Sequence, residues 1–202
     1  MSSRQFRYAL LVAATAAVAS TACVACSPIP TKPRDADRTA AATPATAATP
    51  ATTRFGGTVH LTDYTDNDGP TSTVVLSGAV GDYGQAQTVN ADGSVDPEHT
   101  HQLNLTLTHG TFRLDIADLG AAFVDLLSNV GVDTTTCSAT ASVSAASPIV
   151  PGSGTGWYQG ISGTFDLILT LDEVYQPTHC DQTSPYLAQL IVITGPGSVA
   201  FG

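Results

Sequence analysis

His99 and His101 are the side chains whose type and spacing first suggest chemistry. If they lie on a strand running from His99 to Thr108, a spacing of two puts both imidazoles on one face, in line with Leu103, Leu105 and Leu107. Asp96 and Glu98 are close by in sequence. Two imidazoles and a carboxylate can ligate zinc or another transition metal, or share general acid–base work. The spacing supplies no third imidazole, because His60, His109 and His179 are scattered, and a polar rim accounts for the pair better than a metal site or acid–base chemistry does. Asp63, Asp66, Asn67, Asp68 and Gly69 gather oxygen ligands of the kind calcium takes. The loop motif fails on counting: Gly69 in sixth place puts Tyr64 first and Val75 twelfth, where carboxylates are needed, so the run reads as a solvated turn. Tyr83, Trp157, Tyr158 and Tyr175 offer ring surface at turns and strand ends, for packing or for lining an apolar pocket. The candidate ligand-binding set is therefore His99, His101, Tyr83, Trp157 and Tyr158, with no metal ion, no cofactor and no catalytic residue assigned. A serine nucleophile elbow, a phosphate loop and a dinucleotide fingerprint are all missing from the sequence, and Gly154-Thr155-Gly156 leads into a strand rather than a helix.

The cysteines divide into two pairs. Cys23 and Cys26 end an opening that carries Arg4 and Arg7, then an uncharged stretch from Tyr8 to Ala25, then Ser27 and Pro28. A positive start, an apolar middle and small residues before a cut site form a secretory signal, here residues 1–26. The stretch is rich in alanine, which argues for cleavage over a permanent span. Cys26, with Cys23 as second choice, is positioned to become a lipidated first residue. The bulky aliphatic residue usual three places earlier is replaced by Cys23 and Ser20 respectively, so lipid anchoring and full secretion both stay open. Cys137 and Cys180 remain as an even count in an oxidising compartment, which favours a disulfide over a catalytic thiol served by His179. Closing that loop stabilises the fold by roughly 4 kcal/mol on the chain-entropy account.

Residues 27–54 are nearly all Pro, Ala, Thr and charge, with Ala42-Thr43-Pro44-Ala45-Thr46 echoed by Ala48-Thr49-Pro50-Ala51-Thr52. Such a segment cannot offset its ordering entropy with apolar burial and reads as a disordered tether. One domain follows, at residues 55–202, long enough to bury a core. Of the seventeen Asp and Glu in the chain only Asp35 and Asp37 precede Phe55, whereas Arg113 is the one Lys or Arg that follows it. An acidic domain of this kind repels phosphate backbones and is not expected to bind nucleic acid.

Within the domain, alternation of apolar and polar residues predicts strands at 58–63, 71–80, 83–89, 99–108, 111–116, 135–145, 163–175 and 187–194, with a ninth piece at 198–201. Leu103, Leu105 and Leu107 oppose Asn104, Thr106 and Thr108, and Phe165, Leu167, Leu169 and Leu171 oppose Thr164, Asp166 and Thr170. One apolar and one polar face per strand is the requirement of an antiparallel sheet with a single buried side, and eight or nine such strands close into a small β-barrel. Residues 117–130 break the rhythm with Leu119, Phe123, Leu126 and Leu127 at helical spacing and Gly131 as a stop, which predicts one short covering helix.

Gly81-Asp82-Tyr83-Gly84, after Leu76-Ser77-Gly78-Ala79-Val80, and the run from Gly152 through Trp157-Tyr158-Gln159-Gly160 to Phe165 carry a resemblance. Both are similar to turns of the allene oxide cyclase and dirigent-like barrel family, the second to its glycine-rich, aromatic hairpin before a long strand. Here the helical stretch and the Cys137 strand separate the two motifs more widely than in the plant cyclases. The resemblance implies a barrel whose interior holds an apolar small molecule, in a family whose members guide coupling or cyclisation, and it transfers no catalytic position. Together these readings predict an exported, membrane-tethered barrel binding an apolar or amphiphilic small molecule; an isomerase or cyclase and a non-catalytic envelope interaction protein are the alternatives.

Overall fold

The structure, a computed structural model, describes residues 56–66, 69–96, 98–99, 101–180 and 186–202. The signal, the tether, Cys23, Cys26, Asn67 and Asp68 lie outside the described residues. Among these there are eight strands: β1 Gly57–Thr65, β2 Ser72–Gly78, β3 Asp82–Val89, β4 Gln102–Leu107, β5 Gly110–Asp115, β6 Ser138–Pro148, β7 Ile161–Tyr175 and β8 Tyr186–Phe201. A helix, α1 (Ala117–Leu127), follows β5, and a short 3₁₀ turn spans Gly156–Tyr158. All strand pairs are antiparallel in one sheet of order β5-β4-β3-β2-β1-β8-β7-β6. Because every strand buries one face, the sheet curls over its own side chains into a half-barrel. Its two edges meet through the bridge Leu114↔Ile149, beside a bond from the Val150 N–H to the Arg113 carbonyl (2.8 Å).

α1 covers the seam. Its first turn is held by Asp115, whose Oδ1 accepts from the Ala117 N–H (3.1 Å), and Leu119 and Phe123 pack into the core. Asn129 and Ser128 turn back onto the carbonyls of Asp125 and Val124, which stops the helix at Leu127 rather than at Val130.

The alternation expected from the sequence is what packs. Val59, Leu61, Val74, Leu76, Leu103, Leu105, Leu107, Phe165, Leu167 and Leu169 all point inward as one core. Leu61, Leu105, Leu114, Phe165 and Leu167 are 0% exposed, so no water-sized void touches them and this part of the interior is filled. Elsewhere the inner face is more open to solvent: Val143 and Ala145 of β6, Ile191 of β8 and Phe123 of α1 pack against the core yet remain half-buried.

Three boundaries differ from the alternation reading. β4 starts at Gln102, after both histidines, because His99 sits at φ 56° in the left-handed region and cannot continue a strand. β6 starts at Ser138, because Asp133 folds residues 134–137 into a turn by accepting from the Thr135 N–H (2.7 Å), and Cys137 is likewise left-handed at φ 57°. β8 runs unbroken through Gly195-Pro196-Gly197, merging the expected eighth and ninth strands. Pro196 has no N–H for a ladder, and the β7 register lapses between Phe165↔Gly197 and Ile168↔Thr194. The flanking glycines tolerate this, since a Cβ on Gly195 or Gly197 would collide with the Asp166 carbonyl or the Phe165 ring.

Candidate functional site

Two buried carboxylates organise the polar side of the interior. The first, Asp82, opens β3 on its inner face, in register with Leu76. The β4–β5 turn and the glycine-rich segment before β7 both converge on it. Its Oδ1 accepts from the Tyr83 N–H (2.8 Å), the Thr108 N–H (3.2 Å) and the Thr108 hydroxyl. Its Oδ2 accepts from the His109 N–H (3.2 Å), His109 Nδ1 (3.0 Å) and the Tyr158 hydroxyl (2.7 Å). Burial alone would favour the protonated acid, but the donors from Thr108, Tyr158, Tyr83 and His109 outweigh it and hold the carboxyl well below the usual range. Burial and then the Asp82 charge push the Tyr158 phenol up, which keeps it a donor. The Tyr158 ring tilts against Phe112 (5.0 Å between centroids), and Trp157 stacks on the His109 imidazole (4.0 Å, 20° between planes). Gly156 sits at φ 58°, and a Cβ there would strike the His109 carbonyl, so only glycine lets the segment dock this closely.

The chemistry available to this cluster is limited by where its donors point. Asp82 fixes His109 through Nδ1 in the manner of a general base, with the imidazole 39% exposed. The nearby Thr108 hydroxyl donates to Asp82, and its oxygen lies 3.0 Å from His109 Nδ1, so hydroxyl, imidazole and carboxylate are bonded to one another. The cluster is a clasp that ties three chain segments together.

The second carboxylate, Asp63, follows Val59 and Leu61 on the inner face of β1 and is 4% exposed. Its Oδ1 has no hydrogen-bond partner. Burial pushes its carboxyl up to about 6, with partial relief from the Ser72 hydroxyl and the Tyr64 N–H. Register places it within a cross-strand row, Val74↔Asp63↔Ile193↔Leu169↔Val143, running over β2, β1, β8, β7 and β6. Asp63 is thus the one polar member of an otherwise apolar row, whose end on β6, Val143, is half-buried. Farther along β7 and β8, Glu173 accepts from the Tyr175 hydroxyl (2.5 Å) and Gln189 Nε2 (2.7 Å), leaving Gln189 Oε1 buried and unpartnered.

The sequence-derived candidates separate. Tyr158 reaches Asp82 through its hydroxyl, Tyr83 through its backbone N–H, and Trp157 stacks on His109, so the segments around Asp82 and Tyr158 touch in space. Of the three only Tyr158 is buried, whereas Tyr83 is 65% and Trp157 53% exposed, so neither of those lines an interior pocket. His99 and His101 lie in the β3–β4 connection and do not share a strand face. His99 Nδ1 pairs with the Thr88 hydroxyl (2.6 Å), and His101 Nδ1 with buried Asp96 (2.9 Å). Among the described residues no group of three His, Cys, Asp or Glu is arranged to hold a metal ion, and Asp63 points into the core rather than into a calcium loop. Cys137 and Cys180 form the expected disulfide across 43 residues, so neither is a free thiol for His179, which pairs with Thr178. The sequence alone does not single out Asp82, Thr108 and His109, and it puts Asp63 both at the end of the expected strand 58–63 and in the acidic run that follows. The available signal for both carboxylates was parity, since each shares an inner-facing phase with apolar neighbours on its strand.

Comparison of the chain with family models, with curated proteins and with solved structures gives no match.

Proposed function

We propose that this chain is an exported, membrane-tethered binding protein for an apolar or amphiphilic small molecule. The observation that carries the reading is the row Val143–Leu169–Ile193–Asp63, apolar except for a buried carboxylate oxygen with no partner. A buried acceptor without a donor is costly, and a ligand that supplies the donor recovers that cost. The filled interior around Leu61, Leu105 and Phe165 directs the ligand to the more solvent-open region near Val143, Ala145 and Ile191. The Cys137–Cys180 disulfide is in keeping with export. The paired glycine-rich motifs support kinship with the allene oxide cyclase and dirigent-like barrels.

Isomerisation is a second reading with an observation of its own. A carboxyl raised to about 6 in apolar surroundings is tuned for proton transfer near neutral pH.

Native mass spectrometry of the protein purified from an oxidising compartment tests the binding reading. A small molecule that accompanies the folded chain and leaves on denaturation is the expected result. A bare mass, with no shift when apolar extracts of the host are added, would overturn it.

A further inference from the structure

Asp63 has an environment that a neutral ligand does not complete. Its cross-strand neighbours Val74 and Ile193 are both apolar and buried, and among the described residues Ser72 and the Tyr64 amide are the groups that relieve it. Among the described residues Arg113 is the only Lys or Arg, and its guanidinium is used on the Ala91 carbonyl (3.2 Å) and Gln102 Oε1 (3.0 Å). No basic side chain of the described domain therefore reaches this carboxylate. Farther along the inner face of β8, four residues from the Ile193 that faces Asp63, Gln189 Oε1 is a second buried acceptor without a partner. From Asp63 across Ile193 and Leu169 to Val143 is three inter-strand steps, or about 14 Å of apolar track.

We propose that the ligand of this track is an amphiphilic amine, whose ammonium head donates to Asp63 and whose apolar tail lies along Ile193, Leu169 and Val143. This rests on the small-molecule reading above and specifies the head group. A cation at this point offers both the missing donor and the missing counter-charge, and a charge-assisted bond in a dry site is stronger than a neutral one. An anionic amphiphile meets an uncompensated carboxylate and is rejected, while an alcohol supplies the donor without the charge.

The test measures calorimetric binding of octylammonium, 1-octanol and octanoate to the full chain at pH 7.5, with ethylammonium as a head without a tail. Octylammonium is expected to bind about tenfold or more tighter than octanol, octanoate not measurably, and ethylammonium not measurably. In Asp63→Asn the preference for the amine should vanish while octanol binding persists, and Val143→Trp, which fills the far end of the track, should weaken both. The comparison of head groups on the unaltered protein decides the matter even where a variant fails to fold. Equal binding of all three octyl compounds, unaffected by Asp63→Asn, overturns the amine assignment and leaves the small-molecule reading standing. Binding of ethylammonium as tightly as octylammonium also overturns it, because the acidic surface alone then suffices. Failure of every octyl compound to bind the unaltered protein overturns the small-molecule reading itself.

Discussion

Asp82 and Asp63 are both buried carboxylates on the inner side of one sheet, and the fold treats them in opposite ways. Asp82 collects donors from the β3 backbone, the β4–β5 turn and Tyr158, and stays ionised. Asp63 keeps an oxygen without a partner and is pushed up to about 6. Where the chain must hold distant segments together it satisfies every lone pair it can. Where it leaves one unsatisfied, between the buried apolar side chains of Val74 and Ile193, the proposed ligand supplies what the fold does not.

Breaking the Asp82 side of this contrast should have the largest effect. Asp82→Ala strands several buried donors and is expected to lower stability by roughly 3–5 kcal/mol in urea unfolding. A loss below about 1 kcal/mol would show that the clasp does not hold the fold. The difference between the two proteins should also shrink with acid. The Asp82 carboxyl is depressed in the fold, so its contribution is present above the ordinary value near 4 and is lost as pH falls. Tyr158→Phe removes one charge-assisted donor and keeps the ring on Phe112, and should cost roughly 1.5–3 kcal/mol.

The Asp63 side should respond with the opposite sign. Its folded value of about 6 lies above the unfolded 3.8, so the protonated group's contribution is full below about 4 and disappears as pH rises through about 6. Asp63→Asn is therefore expected to stabilise the protein by about 1–2 kcal/mol at pH 8 and to change little at pH 4, in thermal or urea unfolding at the two values. Destabilisation at pH 8 would show that Asp63 has a partner in the fold and would remove the contrast. The smallest effect is expected at the exposed rim of the clasp, where His109→Ala should cost about 0.5–1 kcal/mol. The same change should alter the emission of Trp157, the chain's single tryptophan, because the indole loses its stacked neighbour.

The unequal legibility of these two sites has a physical origin. Alternation along Leu103-Leu105-Leu107 and Phe165-Leu167-Leu169-Leu171 announces strands because side-chain direction repeats every two residues, and the helix shows in the same way through Leu119 and Phe123. The Asp82 clasp has no such periodicity: its partners Thr108, His109 and Tyr158 are 26, 27 and 76 residues away, and only the curl of the sheet brings them together. The His99 and His101 expectation failed because Asp96 takes the Glu98 N–H onto its side chain (2.9 Å) and turns the chain just where a strand was drawn. Local Asx-turn chemistry overrode the alternation, and an aspartate two residues before a glutamate was the visible warning. Asp63 closes the expected strand 58–63 in phase with Val59 and Leu61, but the adjacent Asp66, Asn67 and Asp68 give it the look of a calcium-loop ligand rather than of a core carboxylate.

The most direct test of the account is a methyl-resolved NMR titration of the isotopically labelled protein with octylammonium at pH 7.5. The account predicts that the shifts concentrate on the methyls of Val143, Leu169 and Ile193, with the Asp63 carboxyl carbon moving alongside them and the Leu61 and Leu105 methyls unmoved. Shifts confined to the outer face, or centred on the Trp157–His109 stack, would contradict it.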